Sequence, residues 1–285
     1  MKKRYHFALV LLLASALTLC GLDLRHPVSS PAPDRIPADD TALSEATDTP
    51  ASDPAVSADI TNTGIGSPGE TVIPGSPNIP EAADMGQEYQ NQIIFVGDST
   101  THHLRHRGGL PGGRDTKQVW TPASGTLTLA YARTAPIMYP DTGEEMTIAE
   151  AAGLQKPRIM IITLGINGIS FMKEAQFKTV YTGLIKDIRE ASPETVIILQ
   201  SIFPRAETGN ENYQKITQEM IDAANVWVFE IAEECGTYFL DTQSVLKDDG
   251  GYLREKYSAG DGIHISKEGY AAILAYIRTH PVEIE

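Results

Sequence analysis

The sequence predicts an α/β fold in which a parallel sheet carries helices on both faces. Three short apolar runs, IIFVG (93–97), RIMIITLG (158–165) and TVIILQSIF (195–203), each stop at a glycine or just before Pro204, as buried strands do. Segments with helical apolar spacing lie between and after them, so strand and helix alternate along the chain. Right-handed crossovers then bring the C-terminal ends of the strands to one edge of the sheet, where open α/β sheets bind ligands.

Taken in order, 93–97 is the first strand and QVWTPA (118–123) a weaker one, ending at Ser124-Gly125. TIAEAAGLQ (147–155) is a short helix, and 158–165 is the best strand of the chain. In 173–191, Phe177, Val180, Tyr181, Leu184 and Ile188 fall on one helical face. The strand at 195–203 follows. The stretch 210–235 reads as one long amphipathic helix, TYFLD (237–241) as a strand, and 266–280 as a final helix with Ser266 as its N-cap. The segment 126–150, with APIMYPDTGEE, reads as an insertion or lid beside the active edge.

The folded part is expected to be a single domain over residues 91–285, about 195 residues and ample for a core. Residues 22–90 are dense in Pro, Ser, Thr, Asp, Ala and Gly, with no aromatic residue before Tyr89. Such a composition buries too little surface to offset the entropy of ordering, so this segment is expected to be a disordered spacer. Much of the formal net charge of −14 sits there, since residues 21–90 hold 12 Asp/Glu against 2 Lys/Arg. No basic stripe interleaved with aromatics is present, so nucleic acid is not expected as a partner.

Residues 1–21 read as a targeting segment: MKKRYH is basic and FALVLLLASALTLCGL is apolar. Three fates stay open: cleavage near Ala14-Ser15-Ala16, lipidation at Cys20, or retention as an uncleaved anchor. Leu17-Thr18-Leu19-Cys20 resembles a bacterial lipobox, although Leu19 stands where that motif wants a small residue. All three fates imply export to the cell surface or the medium. The other cysteine, Cys235, falls in the 210–235 helix and is expected to be a buried small apolar group.

Three short motifs fall on the predicted active edge: Gly97-Asp98-Ser99 after the first strand, Gly165-Ile166-Asn167 after the best strand, and Asp261-Gly262-Ile263-His264 before the last helix. Gly-Asp-Ser alone is a weak signal, but the three together, each in its expected structural context, are a strong one. Their order and spacing resemble the SGNH hydrolases, also called the GDSL esterase/lipase superfamily. The resemblance covers about 68 per cent of the chain. It implies a flavodoxin-like three-layer α/β/α sandwich, a serine nucleophile and no metal or organic cofactor. In its third motif the family has Gly-x-Asn-Asp, and here Gly168 replaces the Asp. The resemblance further implies an oxyanion hole built from the Ser99 and Gly125 backbone N–H groups and the Asn167 side chain. Gly125 is preferred over Gly108, Gly109, Gly112 and Gly113 for the family's second glycine.

The chemistry is coherent from the residues themselves. A serine hydroxyl is a poor nucleophile at neutral pH and needs an adjacent base. His264 can take its proton and return it to the leaving alcohol, while Asp261, three residues earlier, can fix the ring's tautomer. Ser99 also suits a helix N-cap, a role compatible with attack, and Asp98 is expected to be structural. His102, His103 and His106 have no acidic or cysteine partner nearby to complete a metal site, so no metal is expected and a solvated helix edge is the default. Trp120, Tyr131 and Tyr139 are read as core residues, with a sugar-binding cleft as the alternative.

The expected protein is therefore an exported, monomeric serine esterase on an acidic stalk. Its leading substrate is O-acylated carbohydrate, such as acetylated cell-wall or plant polysaccharide. A lipase, lysophospholipase or thioesterase with the same triad and a non-catalytic polymer-binding module are the alternatives. The carbohydrate step rests on surface location and family breadth, not on a residue.

Overall fold

The structure, a computed structural model, describes residues 76–284. The predicted targeting segment and the spacer up to residue 75 lie outside the described residues. In chain order the elements are α1 (Gly86–Gln90), β1 (Ile93–Gly97), α2 (Ser99–His102), α3 (Leu104–Arg107), β2 (Val119–Trp120), β3 (Ile137–Met138) and β4 (Glu145–Met146). They continue with α4 (Ile148–Gln155), β5 (Ile159–Thr163), α5 (Glu174–Ala191), β6 (Val196–Gln200), α6 (Gln218–Cys235), β7 (Tyr238–Leu240), α7 (Gln243–Leu246) and α8 (Lys267–Thr279).

The central sheet is parallel throughout, with strands in the order β2-β1-β5-β6-β7. Numbered within the sheet, that order is 2-1-3-4-5, the flavodoxin-like arrangement, and its switch point lies between β1 and β5. Strand residues alternate between two cores, as the two-residue period of a pleated strand demands. Ile94, Val96, Met160, Ile162, Ile197 and Leu199 pack with residues of α4, α5 and α6. Ile93, Phe95, Ile159, Ile161 and Ile198 pack with Tyr89 and with the apolar face of α8. Helices thus cover both faces, giving the three-layer α/β/α sandwich.

Local chemistry sets the helix ends. Thr147 and Glu150 form a capping box at the start of α4, with Glu150 N–H to Thr147 Oγ1 at 3.2 Å and Thr147 N–H to Glu150 Oε2 at 2.8 Å. Ser266 accepts the Gly269 N–H at 3.1 Å and caps α8. The helix expected over 210–235 starts only at Gln218, capped by Thr217. Before it, Glu211–Tyr213 form a separate 3-10 turn, which aims Tyr213 at the active edge instead of continuing the helix.

Four further expectations change. The spacer was expected to run to residue 90, but residues 76–90 belong to the domain. Phe239 N–H donates to Pro77 O at 2.7 Å, Ile79 and Tyr89 are buried, and the Tyr89 hydroxyl accepts the Val282 N–H at 3.0 Å. Their low apolar density hid this, because two well-placed side chains and a backbone pairing do the anchoring. The segment 126–150 is no lid: Leu127, Leu129, Ala132, Ile137 and Ile148 are buried in the core beside α4 and α5. Cys235 is half-buried, where a buried side chain was expected. Trp120 and Tyr139 are core residues in edge-to-face contact at 5.9 Å, whereas Tyr131 is exposed.

Candidate active site

β1 ends at Gly97, and the chain passes directly into α2 with Asp98 as N-cap and Ser99 as first residue. Asp98 Oδ1 accepts the Thr100 N–H at 2.9 Å and the Thr100 hydroxyl at 2.8 Å. Burial pushes the Asp98 carboxyl up to about 6, against the lowering effect of those two hydrogen bonds. Its contacts are those of a cap, and they hold the turn that presents Ser99 at the switch point. As the first helical residue, Ser99 has no i−4 partner for its N–H.

His264 arrives from the loop before α8. Its Nε2 lies 2.9 Å from Ser99 Oγ, and its Nδ1 lies 2.6 Å from Asp261 Oδ2. The other carboxylate oxygen of Asp261 accepts the backbone N–H groups of Ile263 at 3.0 Å and His264 at 2.9 Å. Burial alone would raise the Asp261 carboxyl, but the backbone and side-chain hydrogen bonds from His264 and the Ile263 N–H hold it down at about 2. An ionised Asp261 accepts a hydrogen bond from the facing Nδ1–H, and in the neutral ring that tautomer turns a bare Nε2 toward the serine. Two of the three sequence motifs, Gly97-Asp98-Ser99 and Asp261-Gly262-Ile263-His264, meet in one hydrogen-bonded chain, Ser99–His264–Asp261.

The expected oxyanion donors stand around the same cleft, of about 430 Å³, that Ser99, Gly125, Asn167 and His264 line. Two of them are engaged in the free protein. The Gly125 N–H donates to Pro122 O at 2.8 Å. Asn167 Nδ2 donates to Leu127 O at 3.1 Å and to Thr126 Oγ1 at 3.2 Å. An incoming oxyanion has to take over one of those protons, as happens when catalytic hydrogen bonds tighten only around substrate. The rivals Gly108, Gly109, Gly112 and Gly113 are not among the cleft-lining residues. Gly168, in place of the family's Asp, closes the turn after β5 by donating its N–H to Gly165 O at 2.7 Å.

Sequence reasoning missed the supports of this arrangement. The loop after β6 docks on the Asp261–His264 segment through backbone hydrogen bonds. The Asn210 N–H donates to Asp261 O, and the Ala206 N–H to Gly262 O, both at 2.9 Å. Gly209 and Gly262 touch so closely that a Cβ on either would lie 2.7 Å from the other's Cα. Tyr270 on α8 donates its hydroxyl to Thr100 O at 2.5 Å, and Arg107 on α3 donates to Ile265 O at 2.9 Å, tying the segment that carries His264 to the one that carries Ser99. A glycine in the 204–217 loop was the sole trace of this in the sequence.

Of the histidines, His102 and His103 line the cleft and His106 is exposed. His102 Nδ1 pairs with Thr121 Oγ1 at 3.0 Å. Among the described residues, no group of three His, Cys, Asp or Glu side chains is placed to hold a metal ion.

No curated protein sequence matches the chain. Among solved structures, a GDSL-like lipase from Bacteroides thetaiotaomicron is 17% identical, covering 68% of this chain and 88% of its own, with a TM-score of 0.47. An acetylxylan esterase from Geobacillus stearothermophilus is 23% identical, covering 67% of this chain and 94% of its own, with a TM-score of 0.42. The model of the GDSL-like lipase/acylhydrolase family matches residues 95–272, a span that holds every member of the Ser99–His264–Asp261 chain. That match takes in well over half of the sequence, and the protein is a member of the GDSL-like lipase/acylhydrolase family.

Proposed function

We propose that the protein is a serine esterase that removes short acyl groups from carbohydrate through an acyl-enzyme. The single observation that carries this reading is the continuous relay from Ser99 Oγ through His264 to Asp261. Ser99 Oγ attacks the ester carbonyl while its proton passes to His264 Nε2. Asp261 stays ionised and stabilises the imidazolium that forms. The carbonyl oxygen, now negative, lies toward the Ser99 N–H and exchanges places with Thr126 Oγ1 at Asn167 Nδ2. Collapse expels the alcohol, which takes the proton from His264. Water, activated by the same histidine, then releases the acyl group and frees Ser99.

The cleft supports a polar alcohol and a small acyl group. Ser124, Thr126 and Asn167 bring hydroxyls and an amide to its lining, and Ile166, Ile216 and Ile263 bring apolar surface to it. Sugar hydroxyls suit the first set, and an acetyl methyl needs no more than the second. We place the enzyme outside the cell, carried by residues 1–21 and held off the surface by the acidic spacer, and acting as a monomer.

The test is acetate release by the full chain from p-nitrophenyl acetate and from acetylated xylan, with Ser99→Ala in parallel. Release from both substrates that disappears in the variant is the expected result. Release from the small ester alone would transfer the assignment to lipid, thioester or peptidoglycan esters. Equal inactivity of both proteins on both substrates would leave a binding module.

A further inference from the structure

We propose that His103 is a positioning residue for His264, its ring and that of Tyr213 packing against the base's ring as an aromatic clamp. The inference rests on the serine-esterase reading above, since it concerns how that reading's base is aimed.

The two hydrogen bonds of His264 leave a freedom that they cannot remove. Nδ1 is held by Asp261 and Nε2 by Ser99, and the two nitrogens lie near one axis through the ring. Rotation about that axis tilts the ring plane while lengthening neither bond much. Lateral packing is what removes this motion. The His103 ring stands 4.5 Å from the His264 ring at an interplanar angle of 61°, and the Tyr213 ring stands 5.9 Å away at 85°. Both are edge-to-face contacts of the kind aromatic rings prefer. The clamp draws on two separate elements, the junction of α2 and α3 and the 3-10 turn at Glu211–Tyr213.

Two further features of His103 fit this use. Its Nδ1 is buried and has no hydrogen-bond partner among the described residues. A side chain kept for hydrogen bonding would not leave that atom bare, whereas one kept for its ring can. Burial first, then the charges of His264, Arg107, His102 and His106, hold its pKa down to about 4. The ring is therefore neutral at pH 7, and the imidazolium on His264 meets the edge or face of an uncharged ring in place of a second cation. The groups that bear on this pair are Arg107 and the two neighbouring histidines from α2 and α3, Asp261 from the loop before α8, and Asp98 at the cap of α2.

The test compares wild type, His103→Ala, His103→Phe and Ser99→Ala as full chains, by kcat and KM for p-nitrophenyl acetate, with thermal unfolding of each. His103→Ala should lower kcat on the order of tenfold to a hundredfold with KM little changed, the scale of loss when a catalytic group is misplaced by about 1 Å. His103→Phe, which restores a neutral ring, should recover most of that loss. The downfield proton resonance of the His264 Nδ1–H should stay sharp in wild type and His103→Phe and broaden in His103→Ala. Wild-type kcat in His103→Ala would overturn the clamp. A folded His103→Phe as slow as His103→Ala would also overturn it, because a nitrogen and not the ring would then matter. So would a loss in His103→Ala that merely tracks its unfolded fraction while His103→Phe brings no recovery. If Ser99→Ala turns over like wild type, the esterase reading falls and takes the clamp with it. If Ser99→Ala is silent while His103→Ala is normal, the clamp alone falls.

Discussion

Asp98 and Asp261 lie on either side of the Ser99–His264 pair, and burial acts on both in the same direction. At Asp98 it wins, lifting the carboxyl to about 6; at Asp261 three hydrogen-bond donors win, and the carboxyl falls to about 2. The two therefore affect stability in separate windows. A carboxyl raised on folding binds its proton more tightly in the folded state, so its ionisation costs stability as pH rises from about 4 to about 6. A carboxyl lowered on folding contributes stability above its unfolded value, and that contribution is lost as pH falls from about 4 toward 2. Wild type should lose roughly 3 kcal/mol to Asp98 between pH 4 and pH 7. Asp98→Asn keeps an oxygen for Thr100 and cannot ionise, so urea unfolding across that range should show a correspondingly flatter profile. Identical slopes in the two proteins would mean that Asp98 is not the ionising group. Asp261→Asn tests the other carboxylate through chemistry. With the tautomer no longer fixed, kcat on p-nitrophenyl acetate should fall by about ten-thousand-fold while KM stays near the wild-type value.

Elements of the sheet were legible because one period and one punctuation mark defined each of them. The run 93–97 is β1 to the residue, and 158–165 and 195–203 contain β5 and β6 with their ends trimmed. The helices expected at 173–191 and 266–280 are α5 and α8 to within a residue at each end. The segment 210–235 was misread because Tyr213, Ile216 and Met220 continue an apolar spacing that a helix would also produce. In the fold, Tyr213 and Ile216 serve the cleft, and Thr217 starts the true helix. The loop that carries them owes its place to the Gly209–Gly262 contact, a close approach between segments that no local pattern encodes. Gly209→Ala tests that element directly. Its new Cβ would lie 2.7 Å from Gly262 Cα and 2.9 Å from Asp261 O, both backbone atoms that cannot swing aside. The loop or the Asp261–His264 segment has to move, so kcat should drop on the order of tenfold or more. The stability loss should stay within the roughly 1–3 kcal/mol typical of overpacking. Unchanged kcat together with unchanged melting temperature would show that the two loops part freely.

At the scale of the whole molecule, the parallel sheet and the edge that carries the candidate site were readable in advance, because right-handed parallel connectivity forces the strand C-terminal ends to one edge. The start of the domain was not. Composition marks 22–90 as one acidic, Pro- and Ser-rich stretch, yet its last fifteen residues pack against β7 and α8. Asn78 pairs in parallel with Phe239, so this segment covers the free edge of β7. Gln90 O accepts from the Gln118 side chain, and Asp84 pairs with Arg278 on α8. A chain that begins at residue 91 would expose the edge of β7 to other chains and would lose the burial of Ile79 and Tyr89. Two such side chains contribute roughly 3 to 6 kcal/mol, which for a domain of this size is a fall in melting temperature of about 6 to 24 °C. Thermal unfolding and light scattering of chains that start at residues 76 and 91 give the comparison. The longer chain should melt in one transition and stay monodisperse, while the shorter one melts lower and self-associates. Ser99 follows the C-terminal end of β1, and none of residues 76–90 is among those that line the cleft, so folded molecules of the shorter chain should still hydrolyse p-nitrophenyl acetate at the rate of the longer one. Equal melting temperatures for the two chains would place the domain boundary at 91 after all.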